Sequence, residues 1–271
     1  MTTAGEREHL DRVRTRFTRT AEQFAQFALA ARSEEAEQLA RLAAPNAEDA
    51  ALDLACGPGT FTRAFAARVR RVCALDLTPA MLEKARQATQ RAGLTNVSFA
   101  CGDANALPFA DAALGVAVCA YSFHHFLDPA RTARELARVL RPGGRLALVD
   151  LIVPDGADSE SNNGIERARD SSHARTLTRA EFAVLLQAAG LRLRAAEIAE
   201  RLRQFDDWMQ IMNWLPGTPG YVETRRLMEA ALPGDLAGFH PRFAASSGTS
   251  VETPQELEFV QTSLLVVAEK P

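Results

Sequence analysis

The residues from Ala51 to Thr60, Ala-Leu-Asp-Leu-Ala-Cys-Gly-Pro-Gly-Thr, carry the clearest chemical signal in the sequence. An apolar run contains an acid, Asp53, and is followed by Gly57 and Gly59, which lack the Cβ atoms that would keep a ligand away from the backbone. A helix that begins near Thr60 would present free N–H groups to the same ligand. The pattern predicts a strand, a tight turn and a helix that together bind a nucleotide cofactor.

The loop departs from the dinucleotide fingerprint G-x-G-x-x-G, because its third glycine position holds Thr62. This departure weakens the interpretation as a pyrophosphate site and counts against a nicotinamide dehydrogenase. The acid Asp53 instead suits a ligand that carries a cation or an amino group. S-adenosylmethionine, which has a sulfonium and an α-amino group, fits that description.

Two further acids follow the next two predicted strands. Asp76 ends the stretch that begins at Val72, and an acid at this place accepts hydrogen bonds from ribose hydroxyls in related folds. Asp103 follows the third strand and is placed to meet the adenine amino group. Three consecutive strands that each lead to an aspartate are a pattern that nicotinamide folds do not need, so the sequence favours a different adenosine-containing cofactor.

With these motifs in this order, residues 48–151 resemble the class I S-adenosylmethionine-dependent methyltransferases. They are most similar to the small-molecule enzymes of ubiquinone and menaquinone biosynthesis. Ala55 departs from the pattern, because many relatives carry glycine there. The segments 166–175 and 205–209 are similar to one bacterial subgroup of the family. The motifs that carry the resemblance are Leu52 to Gly59, Leu75-Asp76, Gly102 to Ala104, Leu107 to Phe109, Phe123 to Phe126 with Asp128-Pro129, and Arg138 to Gly144.

The resemblance implies that S-adenosylmethionine is the cofactor and S-adenosylhomocysteine the product. It implies that Gly57 and Gly59 approach the methionine moiety, with Asp53 at its amino end. Asp76 would hold the ribose and Asp103 the adenine. The full set of expected cofactor-binding residues is Asp53, Gly57, Gly59, Asp76, Leu77, Asp103, Ala104 and Tyr121.

Two adjacent histidines, His124 and His125, follow the fourth predicted strand at its carboxyl end, where ligands bind in open α/β sheets. A histidine suits a base that removes a proton from a methyl acceptor. Alternate side chains of an extended segment point in opposite directions, so at most one of the two should face the pocket. We assign the catalytic role to His125 and a substrate contact to His124, with a structural role as the alternative for both.

A polar segment further on offers a second set of candidates. His173 is a second possible base, and Arg169 or Arg175 would hold a carboxylate, a phenolate or another anion of the substrate. The alternative is a solvated loop with internal ion pairs. Aromatic walls would come from Phe17, Phe24 and Trp208, which otherwise fill the core, and the spacings show no metal-binding pattern.

The expected fold class is α/β, with a Rossmann-like sheet that is mostly parallel and has helices on both faces. Apolar residues at helical spacing predict one amphipathic helix over residues 9–31. The resemblance implies seven strands, the last of them antiparallel. Within one domain we expect an N-terminal helical cap at 1–45, a cofactor-binding core at 48–152, substrate-side insertions at 153–257 and a C-terminal strand at 258–271. Strands are predicted near 50–55, 71–75, 96–101, 114–120, 145–152 and 263–268, helices near 60–69, 79–92, 129–141, 179–189, 204–214 and 220–231, and a loop at 241–254.

Composition fits a single soluble enzyme, since 271 residues with 47% hydrophobic and 24% charged side chains can bury one large core. The net charge of −3 argues against nucleic acid as the main partner. The four cysteines fall in or beside predicted strands and are expected to be reduced, in a cytoplasmic protein without a membrane span. The sequence does not indicate an oligomeric state.

Three classes of function stay open from the sequence. The first is a methyltransferase that acts on oxygen, carbon or nitrogen of a small organic molecule. The second is a methyltransferase-like protein that holds its cofactor while catalysing a reaction other than methylation, and the third is a non-catalytic binding module.

Overall fold

A mixed β-sheet runs through the centre of the protein. The structure is a computed structural model that describes residues 3–244 and 256–271. Its main path has the strand order β3-β2-β1-β4-β5-β9-β7, and two short strands, β6 and β8, pair with β5 and β9. The strands are β1 Ala50–Leu54, β2 Arg71–Asp76, β3 Val97–Cys101, β4 Leu114–Ala120, β5 Leu140–Val153, β6 Leu177–Thr178, β7 Arg192–Gln204, β8 Arg242–Phe243 and β9 Leu257–Glu269.

Helices cover both faces of this sheet. Helices α1 and α2 pack against α5, whereas α3 packs against α4 and β5. Among the described helices, none combines the length and the apolar character that crossing a bilayer requires. The helices are α1 Ala4–Arg19, α2 Ala21–Ala31, α3 Ser33–Ala43, α4 Thr60–Ala66, α5 Pro79–Arg91, α6 Pro129–Val139, α7 Ser159–Arg169, α8 Arg179–Ala188, α9 Phe205–Gln210 and α10 Pro219–Ala230.

The pairing of the strands confirms the predicted fold class. Strands β3, β2, β1, β4 and β5 are parallel, and β9 pairs antiparallel with both β5 and β7. Asp53 of β1 is in register with Ala74 of β2 and with Val118 of β4. The main path has the seven strands that the resemblance implied, and the two-residue strands β6 and β8 are additions. The carboxyl ends of the parallel strands therefore meet at one edge.

The hydrophobic core lies on both faces of the parallel strands. Every residue of β1 is buried, as expected for a strand with helices on either side. Phe65 of α4 is completely buried on one face, together with Leu39 of α3. On the other face, Leu136 of α6 packs with Phe182 of α8. The apolar runs of the sequence therefore fill a two-sided core.

The structure differs from the prediction at the N-terminus, where one helix was expected over residues 9–31. The chain forms two helices there, which meet at Thr20. Thr20 leaves the helical conformation with φ −107° and ψ 8°, and its buried hydroxyl donates a hydrogen bond to the carbonyl of Arg16. The apolar spacing continues across the break, which is why periodicity alone did not show it.

Other differences lie in the second half of the chain. Helix α7, which the sequence did not reveal, carries buried polar residues, Asn162, Asn163 and Glu166, instead of an apolar stripe. The last strand is longer than expected, because β9 begins at Leu257. Residues 245–255, which hold most of the loop expected at 241–254, lie outside the described residues.

The packing of Phe65 gives a test of the core. Replacing Phe65 by alanine should lower the free energy of unfolding by about 3–5 kcal/mol, because the change leaves a cavity between α4 and the sheet. Urea unfolding followed by circular dichroism measures this loss. The control is Val184→Ala, since Val184 is 66% exposed on α8 and should change stability little. Equal effects of the two substitutions would contradict the assigned core.

Candidate functional site

A cleft opens at the carboxyl ends of β1, β2 and β4, under helices α1 and α2. It encloses about 1240 Å³ including its open mouth. We call it the main cleft. Of the eight residues expected to bind a cofactor, all except Gly59 line it, namely Asp53, Gly57, Asp76, Leu77, Asp103, Ala104 and Tyr121.

The turn after β1 explains the different positions of the two glycines. Gly57 has φ +52°, and a Cβ atom there would point toward the ring of Phe24, which lines the cleft, at 3.8 Å. Gly59 has φ +83°, but a Cβ atom there would lie 3.1 Å from the Cα atom of Ala85 in α5. Gly59 therefore allows the turn to pack on α5, whereas Gly57 faces the cleft. Ala55, which departs from the expected family pattern, also has a positive φ, +54°.

Two buried carboxylates face this cleft. Asp53 is 1% exposed, and burial raises its pKa to about 7, although the hydroxyl of Thr62 donates a hydrogen bond to it at 2.5 Å. Burial also raises the pKa of Asp76, which accepts hydrogen bonds from the backbone N–H groups of Gly57 at 2.9 Å and Thr78 at 2.8 Å. Neither carboxylate forms an ion pair within residues 3–244 and 256–271. A cationic ligand in the cleft would stabilise both charges.

Thr62 has a role that the sequence did not reveal. It stands at the position of the missing third glycine, and its side chain holds the Asp53 carboxylate from the first turn of α4. Thr62, whose presence counted against a dinucleotide site, therefore helps to hold the Asp53 carboxylate in place.

A second space, which we call the side chamber, adjoins the main cleft and encloses about 480 Å³. Both spaces are lined by the aromatic side chains Phe17, Phe24 and Tyr121, so the two are joined at these residues. His125 and Arg32 also line both. The side chamber is further defined by Phe27, His124, Arg169, Asp170, Arg203 and Trp208.

His124 and His125 both face the side chamber, in contrast to the expectation that at most one would do so. They belong to a 3₁₀ turn, Phe123–His125, and not to an extended segment, so their side chains do not alternate. Their ring centroids are 4.2 Å apart. The sequence argument was wrong because it assumed an extended backbone at the two histidines, after the end of β4.

The hydrogen bonds of the two rings differ. His124 Nδ1 lies 2.5 Å from Asp150 Oδ1, and although burial alone would lower the pKa of His124, the Asp150 carboxylate raises it. His125 Nδ1 donates to the carbonyl of Ser172 at 3.0 Å. Burial and the neighbouring His124 lower the pKa of His125 to about 4. At neutral pH His125 is therefore uncharged, with Nε2 as a hydrogen-bond acceptor.

Asp150 is another residue of this site that sequence reasoning missed. Its Oδ2 atom accepts hydrogen bonds from the backbone N–H groups of Ser122 at 3.0 Å and Phe123 at 2.6 Å, which fixes the turn that carries both histidines. Asp150 is 1% exposed and lies within the apolar run of β5. The available signal was this single acid among the apolar residues 146–153.

The polar segment 166–175 lies partly at the side chamber and partly at the surface of the protein. Arg169, one of the two arginines expected to hold a substrate anion, lines the side chamber. His173 lines neither space: its Nε2 is 2.7 Å from Asn163 Oδ1, and burial lowers its pKa to about 2. Arg175 is half-exposed and pairs with Glu181. The structure therefore does not bring His173 or Arg175 to the wall of the side chamber.

Helices α1 and α2 close the site from above. His9 Nε2 donates to the carbonyl of His125 at 2.7 Å, and Arg16 donates to the carbonyl of Met212 at 3.0 Å. The rings of Phe17 and His125 pack edge to face with centroids 5.1 Å apart. Within the described ranges, no group of three or more His, Cys, Asp or Glu side chains is arranged to hold a metal ion.

Comparisons with known proteins identify what the chain is similar to. A family model described as a methyltransferase domain matches residues 52–148. A Bacillus subtilis relative with the name "Uncharacterized methyltransferase YcgJ" is 33% identical over 197 residues, which are 72% of this chain and 78% of the relative. The solved structure of YcgJ from Bacillus subtilis gives a TM-score of 0.78 at 27% identity and covers 88% of this chain and 98% of that one. Demethylmenaquinone methyltransferase of Clavibacter sepedonicus is 37% identical over 114 residues, 42% of this chain and 46% of that protein.

The position of Asp76 gives a test of the main cleft. Replacing Asp76 by alanine should weaken binding of S-adenosylhomocysteine by roughly 10- to 100-fold, because it removes a charged hydrogen-bond acceptor and frees the backbone of Gly57. Calorimetric titration measures the change, and circular dichroism checks the fold. The control is Asp155→Ala, on the exposed surface. Wild-type affinity in the Asp76 variant would refute the assignment.

Proposed function

Because the chain belongs to the class I S-adenosylmethionine-dependent methyltransferases, we propose that it methylates an oxygen, carbon or nitrogen atom of a small organic molecule bound in the side chamber. S-adenosylmethionine is its cofactor. The observation that carries the proposal is the junction at Tyr121 and His125, where the main cleft meets a chamber that contains histidines. One relative is named as a methyltransferase of demethylmenaquinone, which is itself a small organic molecule.

The residues of the main cleft fit this cofactor, because two buried carboxylates without an ion pair in the described chain would meet a ligand with sulfonium and ammonium groups. We propose that Asp76 holds the ribose hydroxyls, that Asp103 meets the adenine, and that Asp53 with Gly57 holds the amino end. When bound, the cofactor supplies a methyl group that the sulfonium makes electrophilic.

The task of the protein in such a displacement is to align the acceptor atom and to remove its proton where the acceptor is a hydroxyl or an acidic carbon. Phe17 and Phe24 border both spaces and would orient the acceptor toward the junction. The hydrogen bond from His9 to the His125 carbonyl holds α1 over the junction, which limits access of water.

We propose His124 as the proton acceptor, supported by Asp150. The carboxylate bonded to Nδ1 orients the ring, leaves Nε2 to act as the base and stabilises the imidazolium that forms. Its raised pKa also makes His124 a stronger base than His125, to which the sequence assigned this role. His125, which stays neutral, would position the acceptor through Nε2.

The proposed function is tested first by titrating the ligand-stripped protein with S-adenosylmethionine, using NAD as the control. Binding of the first compound without the second supports the cofactor, and NAD binding overturns it. Incubation with phenols and quinols then tests turnover, through formation of S-adenosylhomocysteine and of a methylated product in the mass spectrum. The names of the relatives favour methyl transfer over a non-methylating reaction or a binding module. Cofactor binding with no S-adenosylhomocysteine formed from any acceptor would support those alternatives.

The two histidines should titrate at clearly different pH values. NMR titration of the ring protons should show a pKa above 6.5 for His124 and a pKa of about 4 for His125. Asp150→Asn should lower the pKa of His124, because the change removes the negative charge that stabilises its imidazolium. The control is Asp155→Asn on the exposed surface, which should leave the titration of both histidines unchanged. If His124 titrates below His125, the base is assigned to the wrong residue.

A further inference from the structure

We propose that the methyl acceptor is a flat organic acid whose anionic group is bound by Arg203, together with Arg169, in the side chamber. This inference rests on the proposed function and adds the chemical class of the substrate. It is carried by the charges, the unpaired donors and the walls of the chamber.

The side chamber has an excess of cations. Among the described residues, three arginines, Arg32, Arg169 and Arg203, line it against one carboxylate, Asp170. Asp170 Oδ1 accepts hydrogen bonds from the backbone N–H and the hydroxyl of Ser172, and it lies 3.7 Å from Arg16 Nε. Asp170 is therefore already engaged by Ser172 and Arg16.

Arg203 has no ion pair within the described residues. Its Nε and Nη2 atoms donate to the neutral side-chain oxygen of Gln261, at 3.3 Å each. Arg203 lies 5.0 Å from the ring centroid of Phe27, and Arg32 lies 5.2 Å from the same centroid. Burial and the repulsion from Arg32 lower the pKa of Arg203 to about 10, so it is still charged at neutral pH. A bound anion would offset this repulsion and desolvation.

Arg169 adds a second donor. Its side chain is 10% exposed, and its buried Nε atom forms no hydrogen bond with any residue that the structure describes. The guanidinium lies 4.2 Å from the ring centroid of Trp208, and Nη2 donates to the Trp208 carbonyl at 3.2 Å. Glu166 lies 3.6 Å away and balances the charge of Arg169 without satisfying Nε. An oxygen atom of a ligand could accept the hydrogen bond that the buried Nε of Arg169 lacks.

The walls select an organic anion over an inorganic one. Phe17, Phe24, Phe27 and Trp208 surround the arginines with apolar ring surface, which favours a ligand with a flat hydrophobic body. Arg32 also lines the main cleft and is therefore available to the carboxylate of the cofactor. Arg203 and Arg169 line only the side chamber, so they are the residues assigned to the acceptor.

The test compares an acid with its neutral counterpart on the full chain saturated with S-adenosylhomocysteine. The probes are 1-hydroxy-2-naphthoate and 1-hydroxy-2-naphthamide, titrated calorimetrically. The acid should bind roughly tenfold more tightly or better, because it alone provides a charged acceptor. Equal binding of the two probes, or no binding of the acid, overturns the proposal. This test uses the wild-type chain only.

Two substitutions locate the effect. Arg203→Gln should abolish the preference for the acid while leaving the affinity for S-adenosylhomocysteine unchanged, which also shows that the variant is folded. Arg175→Gln removes an arginine that pairs with Glu181 outside the chamber and should keep the preference. A preference that survives Arg203→Gln overturns the assignment. Failure of the wild-type chain to bind S-adenosylhomocysteine would instead overturn the proposed function.

Discussion

The parallel pairing of β1, β2, β4 and β5 is the constraint on which the rest of the structure depends. It brings the carboxyl ends of these strands to one edge, where Asp53, Asp76 and Asp150 are buried and need hydrogen-bond donors. Each acid finds its donors in the loop or helix beside it, and so fixes that segment. Asp76 holds the glycine turn, Asp53 binds Thr62, and Asp150 holds the turn that carries the two histidines. The shape of the site follows from how these buried charges are satisfied.

Two neighbouring spaces of opposite electrostatic character result. The main cleft presents Asp53 and Asp76, which form no ion pair within the described chain, and burial raises the pKa values of both. In the side chamber, burial lowers the pKa values of Arg169 and Arg203. Both sets of shifts have the same cause, since removal from water disfavours each charged form. A cationic cofactor in the main cleft beside an anionic acceptor in the side chamber would lower the desolvation cost of both sets of charges.

The N-terminal helices create much of this burial. His9 and Arg16 of α1 donate to backbone carbonyls of the turn after β4 and of the segment after α9, which are distant in sequence. Phe17 and Phe24 then cover the junction between the spaces. Without α1 and α2 the junction would be open to solvent, and the carboxylates and guanidinium groups would regain hydration. The cap therefore contributes to the electrostatics of the site as well as to its shape.

The sequence by itself determined the α/β fold, the family and most of the main cleft, because these depend on local patterns. Apolar runs mark the strands, and Asp53, Gly57 and Asp76 lie at strand ends that any parallel sheet brings together. Tertiary structure alone decided the side chamber, whose walls come from α2, the turn after β4, the end of α7, β7 and α9. It paired Asp150 with His124 and left Arg175 at the surface with Glu181. Ion pairs and buried donors depend on which distant segments meet, and residue spacing carries no record of that.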